Sequence, residues 1–384
     1  MTVITHIDDL KQLAKKRVPK MFFEYADSGS YTQSTYQANE DDFQKIKFRQ
    51  RVAINMDGRS TATTMIGQNV SMPVAIAPTG MTGMQHADGE ILAARAAKKF
   101  GIPFTLSTMS ICSIEEVAQH VGPGFWFQLY VMRDRSFIER LIDRAKAAQC
   151  SALVLTLDLQ ILGQRHRDIK NGLSAPPKPT LLNLLDLATK PRWCLNMLGT
   201  PRRNFGNIFG HVKGIDDMSS LGEWTNGQFD PTLNWNDVEW VKKRWGGKLI
   251  LKGIQDPEDA RLAVQSGADA LIVSNHGGRQ LDGAESSINA LPGIVQAVGK
   301  DIEVHMDGGV RSGQDVLKAR ALGAKGTYIG RAMLYGLGAM GEAGVSKALQ
   351  IIHKELDISM ALCGHTDINK IDSSILLAHT VPQA

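Results

Sequence analysis

Eight short apolar runs, each followed by a stretch of helical periodicity, constrain this 384-residue chain more than any other feature. They lie at residues 73–78, 103–107, 125–130, 152–158, 248–252, 270–273, 303–309 and 326–331. Near-continuous apolar strands alternating with helices predict an all-parallel sheet with both faces covered, and eight such units predict its closure into a (β/α)8 TIM barrel of the α/β class. Almost every run ends in a polar or small residue: Thr79, Ser107, Gln128 and Tyr130, Thr156 and Asp158, Lys252, Ser274 and His276, Asp307, and Arg331. In this fold the C-terminal ends of the strands converge on one mouth, where sites are built.

The remaining composition is that of an ordinary globular chain, with 43% hydrophobic and 21% charged residues. Its length allows either two average domains or one barrel with insertions, and the eight units favour one domain over residues 1–384. A net charge of +4 is too weak to imply nucleic acid. Cys112, Cys150, Cys194 and Cys363 are widely spaced, which argues against a disulfide framework and a zinc site and for a reducing compartment; no metal is expected. The segment from Thr5 to Arg17 reads as a capped amphipathic helix opening an N-terminal helical region, without the apolar core of a signal peptide. No apolar stretch reaches the roughly 18 residues needed to cross a bilayer.

Directly behind the sixth run stands Ser274-Asn275-His276-Gly277-Gly278-Arg279-Gln280. His276 is a candidate general base and Arg279 a candidate carboxylate clamp, the pair that removal of hydride from a 2-hydroxy acid requires. A lone histidine is more often structural; the flanking glycines and the arginine turn the reading towards a site. In the last two units Asp307-Gly308-Gly309-Val310-Arg311 and Gly330-Arg331 place glycines where backbone N–H groups can approach an anion, with an arginine beside each. That implies a phosphorylated ligand, either FMN or a sugar phosphate. The first βα turn lacks the GxGxxG pattern, which disfavours a nicotinamide cofactor.

The His276 motif resembles the signature of the FMN-dependent 2-hydroxy acid dehydrogenases and oxidases, and the resemblance extends from about Ile7 to the last helix. It implies FMN as cofactor, His276 as catalytic base paired with Asp158, and Arg279, Arg165, Tyr25 and Tyr130 as substrate-binding residues. Ala77-Pro78-Thr79-Gly80 resembles the first strand end, whose backbone reaches the flavin ring. Further FMN contacts are implied for Ser107, Gln128, Thr156, Lys252, Ser274, Asp307, Gly308, Gly309, Arg311, Gly330 and Arg331. Physically, a cation such as Lys252 at a strand end stabilises the charge gained on reduction, and a carboxylate beside His276 orients the imidazole and stabilises its protonated form. Met109 stands where glycolate oxidases carry tryptophan, and Gly80 where they carry alanine; the unbranched Met leaves room for a methyl substituent, so lactate fits better than glycolate.

Between the fourth and fifth runs lies a long insertion, about residues 172–234. It carries Leu181, Leu182, Leu184, Leu185 and Leu187, then Trp193, Leu195, Met197, Leu198, Phe205, Ile208 and Phe209. Six basic residues, Lys178, Lys190, Arg192, Arg202, Arg203 and Lys213, face Asp186 alone. Apolar and basic together suit a segment lying on anionic lipid, and residues 178–213 resemble the membrane-binding segment of bacterial lactate and mandelate dehydrogenases. The competing reading folds those leucines into the core. The expectation is therefore FMN-dependent oxidation of L-lactate to pyruvate by a homo-oligomer, peripheral to the cytoplasmic face of the inner membrane, with a quinone or cytochrome acceptor. Alternatives are a cytoplasmic oxidase making hydrogen peroxide, a mandelate-type dehydrogenase, a barrel isomerase or aldolase acting on a sugar phosphate, and a non-catalytic flavin-binding protein.

Overall fold

The computed structural model describes residues 3–173, 180–212 and 227–383. Two strands, β1 (Thr63–Met65) and β2 (Gln68–Val70), form an antiparallel hairpin. Eight more follow: β3 (Val74–Ile76), β4 (Thr105–Ser107), β5 (Trp126–Tyr130), β6 (Ala152–Thr156), β7 (Lys248–Ile254), β8 (Ala270–Val273), β9 (Glu303–Met306) and β10 (Gly326–Ile329). These eight are all parallel and pair in the order β3-β10-β9-β8-β7-β6-β5-β4. The ends of that series meet where the Ile76 N–H donates to the Pro103 carbonyl at 2.9 Å beside a parallel Ile76–Phe104 bridge. The expected barrel is the fold found, with β6 and β7 as its fourth and fifth strands.

The strands read as unbroken apolar runs because each buries both faces. In β6, Ala152 and Val154 point into the barrel with Trp126, Ile250, Ala270, Ile272 and Tyr328, whereas Leu153 and Leu155 pack outward against the helices. Carrying the inward alternation one step past Val154 and Ile272 reaches Thr156 and Ser274, so the pleat itself aims the polar strand ends at the mouth. Helix Arg135–Ala147 shows how the outer layer is written. Asp134 caps it by accepting from the Phe137 N–H at 3.0 Å, and Phe137, Ile138, Leu141, Ile142 and Ala145 form its buried stripe. Each such large side chain contributes roughly 1.5–3 kcal/mol on burial.

The hairpin has no counterpart in the reading of the runs. Its register leaves Ile66-Gly67 as a two-residue loop with φ of 50° and 77°. That is the backbone of a type I′ turn, normally announced by Asn-Gly or Asp-Gly. Ile66 is held there because it is buried and its N–H donates to Glu303 at 3.0 Å. The tip fills the N-terminal end of the barrel, with Met65 against Gly326.

The insertion packs as helices Leu181–Ala188 and Pro191–Leu198 followed by a turn. Trp193 stacks on Phe22 at 5.4 Å and donates to the Met84 carbonyl at 2.9 Å; Met197 is buried with Met84, Ala87 and Ile111. Leu181, Leu182, Leu184, Leu185, Leu195 and Leu198 are all exposed, the least of them by 57%, which overturns the reading that puts them in the core. The basic residues behave differently from expectation. Arg202 pairs with Asp88 at 2.9 Å and Glu116 at 2.8 Å, Arg203 donates to the Met197, Leu198 and Thr200 carbonyls, and Lys190 donates to the Lys16 carbonyl. Arg192 is exposed, and Lys178 and Lys213 lie outside the described residues. The outward character of the segment therefore rests on its leucines. Among the described residues no helix is long and apolar enough to cross a membrane.

Candidate active site

A cavity of about 420 Å³ opens at the C-terminal ends of the barrel strands. Of the residues singled out by sequence, Tyr25, Pro78, Thr79, Gly80, Tyr130, Arg165, Lys252, His276, Arg279, Asp307, Gly308, Gly309, Arg311, Gly330 and Arg331 line it. Ser107, Gln128, Thr156 and Ser274 are buried outside that lining, and Asp158 contacts it through His276. Two buried hydrogen-bonded chains run through these residues. The Ser107 hydroxyl donates to Gln128 at 3.0 Å, and the Gln128 amide donates to Thr156 at 3.0 Å. Lys252 donates to Ser274 at 2.9 Å and pairs with Asp307 at 3.3 Å.

Every residue of the 274–280 motif has a structural task. Asn275 pairs amide to amide with Asn39 at 2.9 and 2.8 Å and accepts from the Gly278 N–H at 3.0 Å, which locks the turn. His276, Gly277 and Gly278 have φ of 58°, 65° and 71°, a sequence of left-handed residues in which a non-glycine histidine is a strained exception. Any Cβ on Gly278 would lie 2.4 Å from the Tyr36 nitrogen. Gln280 donates to the Asp158 and Ile161 carbonyls, both at 2.8 Å, tying this turn to the loop that carries Asp158 and Arg165.

His276 Nδ1 is 2.9 Å from Asp158 Oδ1. Gly253 makes this approach possible. It sits at the irregularity of β7 with φ of 105°, and a Cβ there would lie 2.7 Å from the Asp158 carboxyl carbon. Burial, joined by the Lys252 and Arg165 charges, outweighs Asp158 and holds the His276 pKa below its ordinary value. Burial opposes the Asp158 anion, but His276 and Lys252 keep its pKa lowered. A neutral imidazole donating Nδ1–H to Asp158 leaves Nε2 as a proton acceptor. Tyr130 has its phenol pushed upward by burial and then by the Asp158 charge, so it stays a hydrogen-bond donor.

Two arginines, Arg279 and Arg165, line the same cavity as the imidazole. Arg279 Nη1 donates to the Tyr25 carbonyl and, at 3.1 Å, to the Ser28 carbonyl, and its guanidinium lies 4.6 Å from the Tyr25 ring centre. Burial and the neighbouring Arg165 bring its pKa down to about 10, which leaves it charged. Tyr25 reaches the site because the N-terminal segment folds across the mouth. Ser30 donates to the Gly278 carbonyl at 2.9 Å, and Asp282 accepts from the Thr32 and Thr35 N–H groups at 2.9 and 3.0 Å.

Beside Gly309 and Gly330, where the sequence points to an anion, the arginines are less free than the sequence suggests. Arg331 donates to the Ala26, Ser28 and Gly277 carbonyls at 2.8, 2.8 and 3.0 Å and lies 4.4 Å from the Tyr36 ring centre. Arg311 pairs with Glu40 at 2.8 Å. Sequence reading passed over Glu40, Tyr36, Asn39 and Asp168, because all are polar residues in helical contexts that mark no chemistry by themselves.

The family model for FMN-dependent dehydrogenases matches residues 14–378. The chain belongs to that family. It is 45% identical over 377 residues to the L-lactate dehydrogenase of Pseudomonas syringae pv. syringae (strain B728a), covering 98% of this chain and 99% of that one. It is 44% identical over 387 residues to the L-lactate dehydrogenase of Caulobacter vibrioides (strain NA1000 / CB15N), covering 100% of both. Among solved structures it resembles the monotopic membrane protein (S)-mandelate dehydrogenase, with a TM-score of 0.93, 35% identity, and coverage of 98% of this chain and 100% of that one.

The residues present fit FMN. Asp307 has a buried carboxylate oxygen without a partner, and a Cβ on Gly330 would meet nothing nearer than Thr79 at 3.6 Å, which leaves backbone open to an anion. Lys252 is a buried cation in the cavity lining of this FMN-dependent dehydrogenase, and the Asp307 and Asp158 charges hold its pKa up against burial. If it stabilises reduced flavin, Lys252→Met keeps FMN bound but lowers its reduction potential. A charge-assisted hydrogen bond of about 1.5–3 kcal/mol corresponds to roughly 30–65 mV for a two-electron couple. An unchanged potential in spectroelectrochemical titration would remove that role.

Proposed function

We propose that this FMN-dependent dehydrogenase oxidises L-lactate to pyruvate at the cavity and passes the electrons to a quinone or cytochrome at the cytoplasmic face of the inner membrane. The observation that carries the reading is the meeting of two groups in the lining of one cavity: His276, paired with Asp158 at 2.9 Å, and the arginines Arg279 and Arg165. Arg279, Arg165 and Tyr25 hold the substrate carboxylate, and Tyr130 donates towards its oxygens. The hydroxyl proton goes to His276 Nε2, and Asp158 stabilises the imidazolium that results. FMN, when bound, supplies the two-electron acceptor. Lactate is preferred over a larger 2-hydroxy acid because the relatives named for lactate are 45% and 44% identical, against 35% for the mandelate structure. Turnover of a panel of 2-hydroxy acids with an artificial dye, beside an oxygen-consumption assay, tests it. Preference for mandelate, or stoichiometric hydrogen peroxide, would replace the reading.

Support for a lipid-side acceptor comes from the apolar wall. Phe22, Met81 and Phe205 line the cavity and pack against the cluster that includes Met197 of the insertion, whose neighbours Leu195 and Leu198 are exposed. Ile161, Leu162 and Leu281 extend the exposed apolar rim. With roughly 1.5–3 kcal/mol per buried leucine, Leu182→Glu combined with Leu185→Glu should lower partition onto anionic vesicles by about 100-fold or more, with FMN content unchanged. Equal sedimentation of both proteins with vesicles would rule out anchoring through this helix.

A further inference from the structure

Asp168 stands three residues after Arg165 on the short helix His166–Lys170, so the backbone that delivers one delivers the other. It is buried, with Oδ2 3.8 Å from Arg279 Nη2, too long for a hydrogen bond and short enough for strong charge attraction. Both groups are otherwise incomplete: Asp168 Oδ1 and Arg279 Nη2 are buried without any hydrogen-bond partner. A carboxylate that served only to hold the fold would be saturated, as Asp27 is nearby, taking hydrogen bonds from Tyr36 and Tyr335 and pairing with Lys11 at 2.9 Å. Burial, joined by Glu24, holds the Asp168 pKa above its ordinary value, while Arg279 and then Arg165 favour its anion.

We propose that Asp168 is a positioning residue for the substrate: acting through Arg279, it sets how strongly the cavity holds a carboxylate. This rests on the reading of Arg279 and Arg165 as the carboxylate-binding pair. Nη1 of Arg279 is occupied by the Tyr25 and Ser28 carbonyls and Nη2 is buried 3.8 Å from Asp168, so the charge of Asp168 acts directly on how the guanidinium is held against the cavity. The same negative charge offsets part of the positive field of two guanidiniums, weakens the hold on any bound carboxylate, and so lets the product anion leave.

Asp168→Asn keeps the shape and a hydrogen-bond acceptor while removing the charge. In the FMN-loaded enzyme, pyruvate binding read from flavin absorbance should tighten about tenfold, the KM for lactate should fall by a similar factor, and kcat should not rise. A residue that merely supports the fold would weaken binding or leave it alone, and either result in Asp168→Asn overturns the proposal. Should that variant lose FMN, Asp168→Ser repeats the titration with the same expected direction. Unmodified holoenzyme that responds to neither lactate nor pyruvate would overturn the functional reading itself; a normal response with an unaltered Asp168→Asn would overturn only the role given to Asp168.

Discussion

His276→Gln is expected to lose about 100-fold to 10,000-fold in turnover while retaining FMN and the ability to bind pyruvate. Glutamine matches the reach of the imidazole and keeps a hydrogen bond to Asp158, but it cannot accept a proton near neutral pH. The loss should exceed that of a simple hydrogen bond because Asp158, 2.9 Å from Nδ1, would stabilise the imidazolium that proton transfer creates. The unmodified enzyme carries a matching pH signature. Protonated His276 is inactive as a base, so kcat/KM should fall as pH drops through the His276 pKa. Burial and Lys252 lower that pKa, so activity should persist to more acidic pH than an ordinary histidine would allow. Near-normal lactate oxidation by His276→Gln with full FMN occupancy would remove the base from the mechanism.

Arg279→Lys should fail in a different way, raising KM and lowering kcat together, with kcat/KM down by about 100-fold to 1,000-fold. An ammonium preserves the charge but cannot both occupy the Tyr25 and Ser28 carbonyls and present a second, coplanar donor to substrate. The vacated carbonyls lie in the N-terminal segment that closes over the cavity, so binding and positioning suffer at once. Steady-state kinetics checks the split: a change confined to KM would mean that Arg279 binds substrate and reaction centre equally and does not orient the reacting group.

The barrel was legible because a parallel strand buried on both faces must be written as a solid apolar run, and each of the eight runs became a strand. The hairpin was not, because Ile66-Gly67 adopts a turn that its residue types do not advertise; burial and Glu303 impose it. The 274–280 motif pointed to a proposed chemistry through His276 and Arg279, whereas the work of Asn275 and Gln280 depends on partners 236 and 122 residues away. Asp168 and Glu40 were hidden for the same reason. Nothing local separates a surface carboxylate on a helix from one folded against a guanidinium. In the insertion, the apolar signal pointed outward as expected, but most of the described basic residues are engaged by carboxylates and carbonyls that only the folded chain supplies.

The hairpin tip that fills the far end of the barrel gives this cavity the topology of a cul-de-sac. A reductant and an oxidant that both use the mouth at the C-terminal strand ends would have to take turns, the product of the first departing before the second could approach. A dead end of this kind makes the departure of the first product a toll on the second half of the cycle. It also rewards any feature near the mouth that loosens the grip on an anion.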